Sequence, residues 1–313
     1  MRKYALPILL VIEMGIFLPV SGIRFDDWNT FLTGFQFYLS DLIPQATPLL
    51  VLSLGMTIVL ITAGIDLSVG SMVALVACVM SLFEGSGTFW WFAIPTGLAV
   101  AIGLGMFNGL LIARLDVPPI VATLGTLFFY RGLCEAVMRG AENAPFYSVP
   151  GYEWFGELTG SLVVAAVILL AGGSYFQLSR WRREILMLGG NRVAARYAGI
   201  PVDRRLFQVY TLMGLLAFAA AVCATAKDTS VTATWRMGME LQVIVAVVLG
   251  GTRIDGGAGS VLGSVFGVLM VAVLEEGLRG AAMSDLKPIL LGGLLFVGVW
   301  LNTHADAKNR KMT

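Results

Sequence analysis

Residues able to do chemistry within this chain are few and scattered. Charged side chains interrupt long apolar runs at Glu13, Arg131, Glu135, Glu275 and Glu276, and a charge inside a bilayer is costly unless it is paired or hydrated. Arg131 and Glu135 are spaced i, i+4, so the sequence predicts an ion pair along one helix. Glu275 and Glu276 stand near the end of a run with Arg279 three or four residues on, the pattern of a hydrated surface anchor. Glu13, between Pro7 and Pro19, is the one carboxylate in mid-run without such a neighbour; it is the sole candidate for a proton relay, against the alternative that its helix is simply peripheral. The single histidine, His304, lies in a polar tail. Cys78, Cys134 and Cys223 share no C-x-x-C spacing and read as small buried hydrophobes.

Nucleotide chemistry has no apparatus here either. The phosphate loop G-x-x-x-x-G-K-[ST] needs a lysine after glycine, and the chain contains no Gly-Lys pair. Gly189-Gly190-Asn191 and Gly250-Gly251-Thr252 are glycine-rich, yet they lack both that lysine and a preceding strand. Catalytic, cofactor-binding and metal-ligating residues are therefore expected to be none, and the chain is expected not to be an enzyme.

Composition explains this sparseness. Of 313 residues 57% are hydrophobic and 13% charged, with a mean hydropathy of +0.82, against about 25% charged in a soluble protein. At roughly 30 residues per crossing and connection, the length admits about ten crossings and no sizeable soluble domain. A net charge of +1 gives no support for nucleic-acid binding. Met1-Arg2-Lys3 and the apolar run to Val20 imitate a signal peptide, but no small-x-small site follows, so this run is expected to be the first span. Apolar runs predict helices over 4–20, 42–64, 68–83, 90–113, 117–138, 158–178, 206–226, 240–250, 260–277 and 287–302. The runs 68–83 and 240–250 are short and adjoin glycine-rich segments, which predicts broken or re-entrant helices buried in protein. Gly97, Gly103, Gly105 and Gly109 predict close helix packing.

Orientation follows from the basic residues. The connection 179–205 carries Arg180, Arg182, Arg183, Arg192, Arg196, Arg204 and Arg205 against Glu184 and Asp203. It is expected to face the cytoplasm. Ten crossings then put both termini there, in agreement with Arg2 and Lys3 at one end and Lys308, Arg310 and Lys311 at the other. Asp26, Asp27, Asp41, the acidic stretch 142–157 and the mixed cluster Lys227, Asp228 and Arg236 fall on the opposite side. Within the basic connection Asn191 can cap a short helix that Gly199 can end, with Val193, Ala194, Tyr197 and Ala198 along one side and Arg192 and Arg196 along another. Such a helix either docks a partner or rests on lipid headgroups. The segments Ile65–Ser71 and Ile254–Ser260 both fit I-D-x-x-x-G-S, an internal echo that suits either a repeated half or chance among many glycines.

Four segments in order carry a family resemblance: Gly55-Met56-Thr57 through Gly64-Ile65-Asp66-Leu67-Ser68-Val69-Gly70-Ser71; Asn108-Gly109-Leu110-Leu111 with Pro118-Pro119-Ile120-Val121-Ala122-Thr123-Leu124-Gly125-Thr126; Gly189-Gly190-Asn191 through Ala194-Ala195-Arg196 to Gly199-Ile200; and Val248-Leu249-Gly250-Gly251-Thr252 through Gly256-Gly257 to Gly259-Ser260. With these the chain resembles the permease subunits of ATP-binding-cassette sugar importers, the ribose, xylose, arabinose and galactose group.

The resemblance implies an all-α integral membrane protein with the ABC importer permease fold, one transmembrane permease domain over 1–313 with a cytoplasmic coupling loop at 179–205, in a bacterial cytoplasmic (inner) membrane. It implies a second permease subunit, identical or related, a cytoplasmic ABC ATPase that uses ATP and Mg, a periplasmic or extracellular solute-binding protein, and surrounding lipid; no nucleic acid enters. The ATPase contact would fall on Gly189, Gly190, Asn191, Arg192, Ala194, Ala195, Arg196 and Gly199, where Arg192 and Val193 replace the acidic residues frequent in the family. The solute would be a monosaccharide or a sugar-like compound such as an autoinducer. Hydroxyl and amide side chains suited to a sugar path stand at Thr57, Thr62, Ser68, Asn108, Thr123 and Thr126, where bonds that merely hold helices together compete as an explanation. The rival reading is an ion-gradient-driven secondary transporter, which needs buried unpaired carboxylates and no ATPase.

Overall fold

A computed structural model describes residues 2–19, 23, 27–84, 89–140, 142, 144–146 and 150–310, with backbone alone for 2–5, 89 and 301–310. Asp26, Lys311 and part of the 142–157 stretch lie outside the described residues, as do the side chains of Arg2, Lys3, His304, Lys308 and Arg310.

Every one of the ten apolar runs falls on helix. They correspond to α1 (Arg2–Phe17), α2 (Trp28–Ile61), α3 (Val69–Ser81), α4 (Phe89–Ala113), α5 (Pro119–Met138), α6 (Leu158–Ala166) continued by a π-turn and α7 (Gly173–Leu178), and, after the basic connection, α10 (Val202–Asp228), α11 (Met239–Leu249), α12 (Val261–Gly280) and α13 (Lys287–Arg310). The connection folds as α8 (Arg180–Gly190) and α9 (Arg192–Tyr197). Among the described residues six helices are long and apolar enough to cross a membrane, and Leu6–Phe17, Val69–Ser81 and Met239–Leu249 are shorter apolar helices. α3 has 13 residues and α11 has 11, about 20 and 16 Å of helix against a hydrocarbon layer of about 30 Å. Neither is long enough to span that layer alone.

α2 departs from the expected start at residue 42. It begins at Trp28, runs 34 residues and is capped by Asp27, whose side chain accepts from the Thr30 backbone N–H at 2.9 Å. Thr30 Oγ1 bonds the same carboxylate, and these bonds hold the Asp27 pKa below its ordinary value. Polar residues dilute this first stretch in a hydropathy window, yet Trp28, Phe31, Phe35 and Tyr38 stack successively at helical spacing, with ring centroids 5.6, 5.9 and 6.5 Å apart. The second half of α2 is continuously buried from Ala46 to Ile61 and packs against α6, α10, α11 and α12. A helix apolar on every side is the one a bundle encloses.

Small residues bring α4 and α10 together. A methyl on Gly105 would stand 2.5 Å from the Tyr210 carbonyl oxygen, and one on Gly214 would stand 2.2 Å from that of Ala101. Gly97 and Gly109 likewise meet side chains or backbone, whereas Gly103 faces open space and takes no part in the packing expected of it. Cys78, Cys134 and Cys223 are buried free thiols.

The charged residues find partners far away in sequence. Arg131 does not pair with Glu135; its Nη1 donates to the carbonyls of Ala233 and Trp235 at 2.8 and 2.9 Å. The i, i+4 spacing offers a local ion pair, but one guanidinium nitrogen beside two half-buried carbonyls satisfies backbone acceptors as well as the charge. Arg279 pairs with Glu276 and Asp41, Lys227 Nζ reaches Asp41 Oδ1 at 2.8 Å, and Lys287 pairs with Glu275. These pairs tie α2, α10, α12 and α13 together at the end remote from the basic connection. Glu13 Oε2 is buried without a hydrogen-bond partner among the described residues.

Candidate functional site

The basic connection is built from two capped helices. Ser179 Oγ accepts from the Arg182 N–H at 3.4 Å and opens α8, whose Ile185 and Leu188 are buried. Glu184 on α8 pairs with Arg205 on α10, and Arg205 Nη1 also donates to Gln208 at 2.8 Å. Asn191 then separates the helices in extended geometry, and its Oδ1 accepts from the N–H groups of Val193 and Ala194, each at 3.0 Å. That is the capping role expected from its sequence position. Gly199, with φ +79°, supplies the left-handed residue after the helix. Arg196 pairs with Asp203 at 2.8 Å on the surface, and that carboxylate raises the guanidinium pKa above its ordinary value.

The two sides of α9 differ sharply. Ala195 is buried on a small cluster with Ala113, Leu188, Val202 and Leu206, while Val193 is 64% and Tyr197 90% exposed. Ala194, Arg196 and Ala198 are exposed as well. Of the eight residues expected to meet an ATPase, Ala195 faces the body of the protein and Gly189 a backbone junction. Asn191 and Gly199 shape the helix; Gly190, Arg192, Ala194 and Arg196 lie on its accessible side or half-buried beside it.

The junction joins three segments by backbone. Ile61, at the end of α2, accepts a hydrogen bond from the Gly257 N–H at 2.9 Å. A methyl on Gly189 would lie 1.6 Å from the same Ile61 oxygen and 2.8 Å from the Gly257 nitrogen. Gly256 has φ +86°, and a methyl there would stand 2.8 Å from both Ala63 Cβ and the Gly189 oxygen. The last turn of α8 thus rests directly on the ends of both glycine-rich segments that interrupt spans. The echoing motifs themselves fold differently: Asp66 turns inward to Ser68, whereas Asp255 pairs with Arg253 at the surface and Ser260 caps α12 through the Gly263 N–H at 3.1 Å.

The six polar path candidates are all buried inside the chain. Ser68 is the hub. Asp66 Oδ1 accepts from the Ser68 N–H at 2.9 Å and from its Oγ at 2.7 Å; that Oγ accepts from Asn108 Nδ2 at 2.8 Å; and Asn108 Oδ1 accepts from the Tyr130 hydroxyl at 3.2 Å. Thr123 Oγ1 bonds the Ile65 carbonyl at 3.0 Å. Thr57 and Ser264 share a hydrogen bond of 2.7 Å across α2 and α12. Thr62 and Thr126 bond backbone carbonyls of their own segments, Val59 and Thr123. Ser68, Asn108 and Thr123 form one constellation around the break before α3, with Thr126 at its edge through the Thr123 carbonyl; Thr57 and Thr62 do not join it. Asp66, Tyr130 and Ser264 were not among the expected site residues. For Asp66 the signal was present, since Asp two residues before Ser is an Asx-turn pattern; for Tyr130 and Ser264 none was. Among the described residues no three His, Cys, Asp or Glu side chains converge as metal ligands.

A bundle of long and interrupted apolar helices, with a capped helix pair standing on their breaks, defines a polytopic transport subunit. The chain belongs to the family described as branched-chain amino acid transport system, permease component, whose family model matches residues 38–299. It is 31% identical to the ribose import permease of Escherichia coli (strain K12) over 271 residues, 83% of each chain. It is 30% identical to an autoinducer 2 import system permease of Photorhabdus laumondii over 308 residues, 95% of this chain and 90% of that one. A fructose import permease of Bifidobacterium longum is 32% identical over 283 residues, 86% of this chain and 77% of the relative. No solved structure matches. As a permease component the chain is a non-catalytic, multi-pass membrane subunit of an ABC importer.

Proposed function

We propose that this permease carries a monosaccharide or a sugar-like solute, with the autoinducer 2 class included, across the bacterial cytoplasmic membrane. The relatives that import ribose, fructose and autoinducer 2 support the solute class. Two permease chains, identical or related, form the path; a solute-binding protein delivers the solute, and a cytoplasmic ABC ATPase using ATP and Mg docks on α9. Both termini and the 179–205 connection face the cytoplasm in this reading.

One observation carries it: α9 exposes Val193 and Tyr197 to a partner while the adjoining Gly189 leans on the ends of both broken segments. A partner that moves α9 by an ångström therefore moves backbone, not a flexible side chain, at Ile61 and Gly257. Ser68, Asn108 and Thr123 hold the segment before α3 in register beside the path, and Thr57, Thr62 and Thr126 fix the neighbouring turns. The ion-driven alternative has no comparable support. The test is uptake into proteoliposomes: permease, ATPase and binding protein together accumulate labelled sugar on ATP addition, and the permease alone accumulates none under an imposed pH or sodium gradient. Accumulation by the permease alone would refute the proposal.

A further inference from the structure

A cleft of about 750 Å³ opens between α2, the α6–α7 span and α10. Leu54, Ile58, Val167, Ala171, Leu212 and Leu215 wall it, so a sugar would leave its hydroxyls unpaired there. The π-turn Val167–Gly172 forms part of one wall, and such turns recur at functional sites. The cleft's polar mouth lies where the Leu158–Leu178 span ends and α8 begins.

That mouth carries a charge arrangement at odds with helix electrostatics. The N-terminus of a helix bears partial positive charge and favours anions, yet the first turn of α8 holds Arg180, Arg182 and Arg183 and no acid. Among the described residues none of the three has an ion-pair partner, since Glu184 is engaged by Arg205; Arg180 lines the cleft, and Arg182 and Arg183 stand on the same turn outside its lining. Beside them the half-buried Trp181 lines the cleft. An apolar trough below a cationic helix end, at the level where a span meets water, matches an amphiphile with a phosphate head.

We propose that this cleft binds an anionic phospholipid of the leaflet on the α8 side, its acyl chain between α2 and α10 and its phosphate at the N-terminus of α8. The phosphate neutralises Arg180 at the mouth, and Arg182 and Arg183 add to the positive potential of the same turn. The site does not depend on the solute or on the ATPase.

Native mass spectrometry of the detergent-purified permease, titrated with phosphatidylglycerol or phosphatidylcholine of identical chains, tests this. Phosphatidylglycerol is expected to be retained in preference, with the preference falling roughly fivefold for each arginine removed in R180Q and R180Q/R183Q. R139Q, at the C-terminus of α5, is expected to leave it unchanged. Ala171→Trp, or Val167→Trp if the first folds poorly, fills the trough and is expected to abolish retention of both lipids. Equal retention of the two lipids by the wild type, a preference that survives R180Q/R183Q, or full retention in a folded trough-filling variant would each overturn the proposal.

Discussion

Gly189 and Ile61 meet so closely that a single methyl on the glycine would lie 1.6 Å from the isoleucine carbonyl oxygen. The same oxygen already accepts the Gly257 N–H, so it cannot withdraw without opening the junction. Gly189→Ala is expected to destabilise the permease by about 1–3 kcal/mol, the usual cost of overpacking. Gly190 has nothing within 4 Å of an added methyl, so Gly190→Ala is expected to be neutral or to gain a few tenths of a kcal/mol from helix propensity, up to ~1. Thermal melts of the two purified variants check this, and indistinguishable melting temperatures would remove the junction from the argument.

Asn191 holds two N–H groups of α9. Loss of such a cap costs ~1 kcal/mol, and a six-residue helix has little else to keep it wound. Asn191→Ala is expected to fray α9 and to lower copurification of the ATPase severalfold while membrane insertion persists; Asn191→Asp, which keeps the acceptor, is expected to retain most of it. Full copurification with Asn191→Ala would show that docking does not need a wound α9.

The opposite faces of α9 separate docking from packing. Tyr197→Ala removes a side chain 90% exposed and is expected to leave the melting temperature unchanged, within the ±0.5 kcal/mol typical of surface changes, while reducing solute-dependent ATP hydrolysis. Ala195→Leu enters a buried cluster and is expected to lower stability by about 1–3 kcal/mol. Should Tyr197→Ala leave both stability and hydrolysis intact, the partner sits elsewhere.

Much of this arrangement was legible in the residues. The ten helical runs, the shortness of the third and eighth of them and the Asn191 cap each follow from local rules of length, glycine content and side-chain acceptor position. The first half of α2 was not legible, because Asn29, Thr30, Thr33, Gln36, Ser40 and Asp41 lower the mean hydropathy below what its aromatic spacing restores. Nor could residue type say where a polar side chain points. Thr57 and Asn108 have the chemistry of a sugar path, but their bonds to Ser264 and Ser68 close across 207 and 40 residues of sequence, a separation that no local pattern encodes.

Asn108 joins Ser68 to Tyr130 in a fully buried chain of hydrogen bonds. Asn108→Ala strands the Tyr130 hydroxyl from one acceptor and the Ser68 oxygen from its donor, at about 1–3 kcal/mol. Because both lie at the break before α3, transport is expected to fall while affinity of the binding protein for its solute stays the same. A double-mutant cycle with Ser68→Ala is expected to give a coupling of at least ~0.5 kcal/mol; strict additivity would mean that the chain does not act as a unit.

Arg131 distinguishes long-range from local satisfaction of a half-buried charge. Its Nη1 bridges the carbonyls of Ala233 and Trp235 at 2.8 and 2.9 Å, holding the turn before α11 against α5. Lysine keeps the charge, but its Nζ stands one bond nearer the backbone than Nη1 and cannot bridge both carbonyls, so one is left to water or to nothing. Arg131→Lys is therefore expected to cost about 1–2 kcal/mol, in the range of hydrogen bonds to charged groups. Glu135→Gln, which touches no partner of Arg131, is expected to be within ±0.5 kcal/mol. Denaturation midpoints of both variants decide it: a larger loss from Glu135→Gln than from Arg131→Lys would restore the i, i+4 ion pair as the contact that matters.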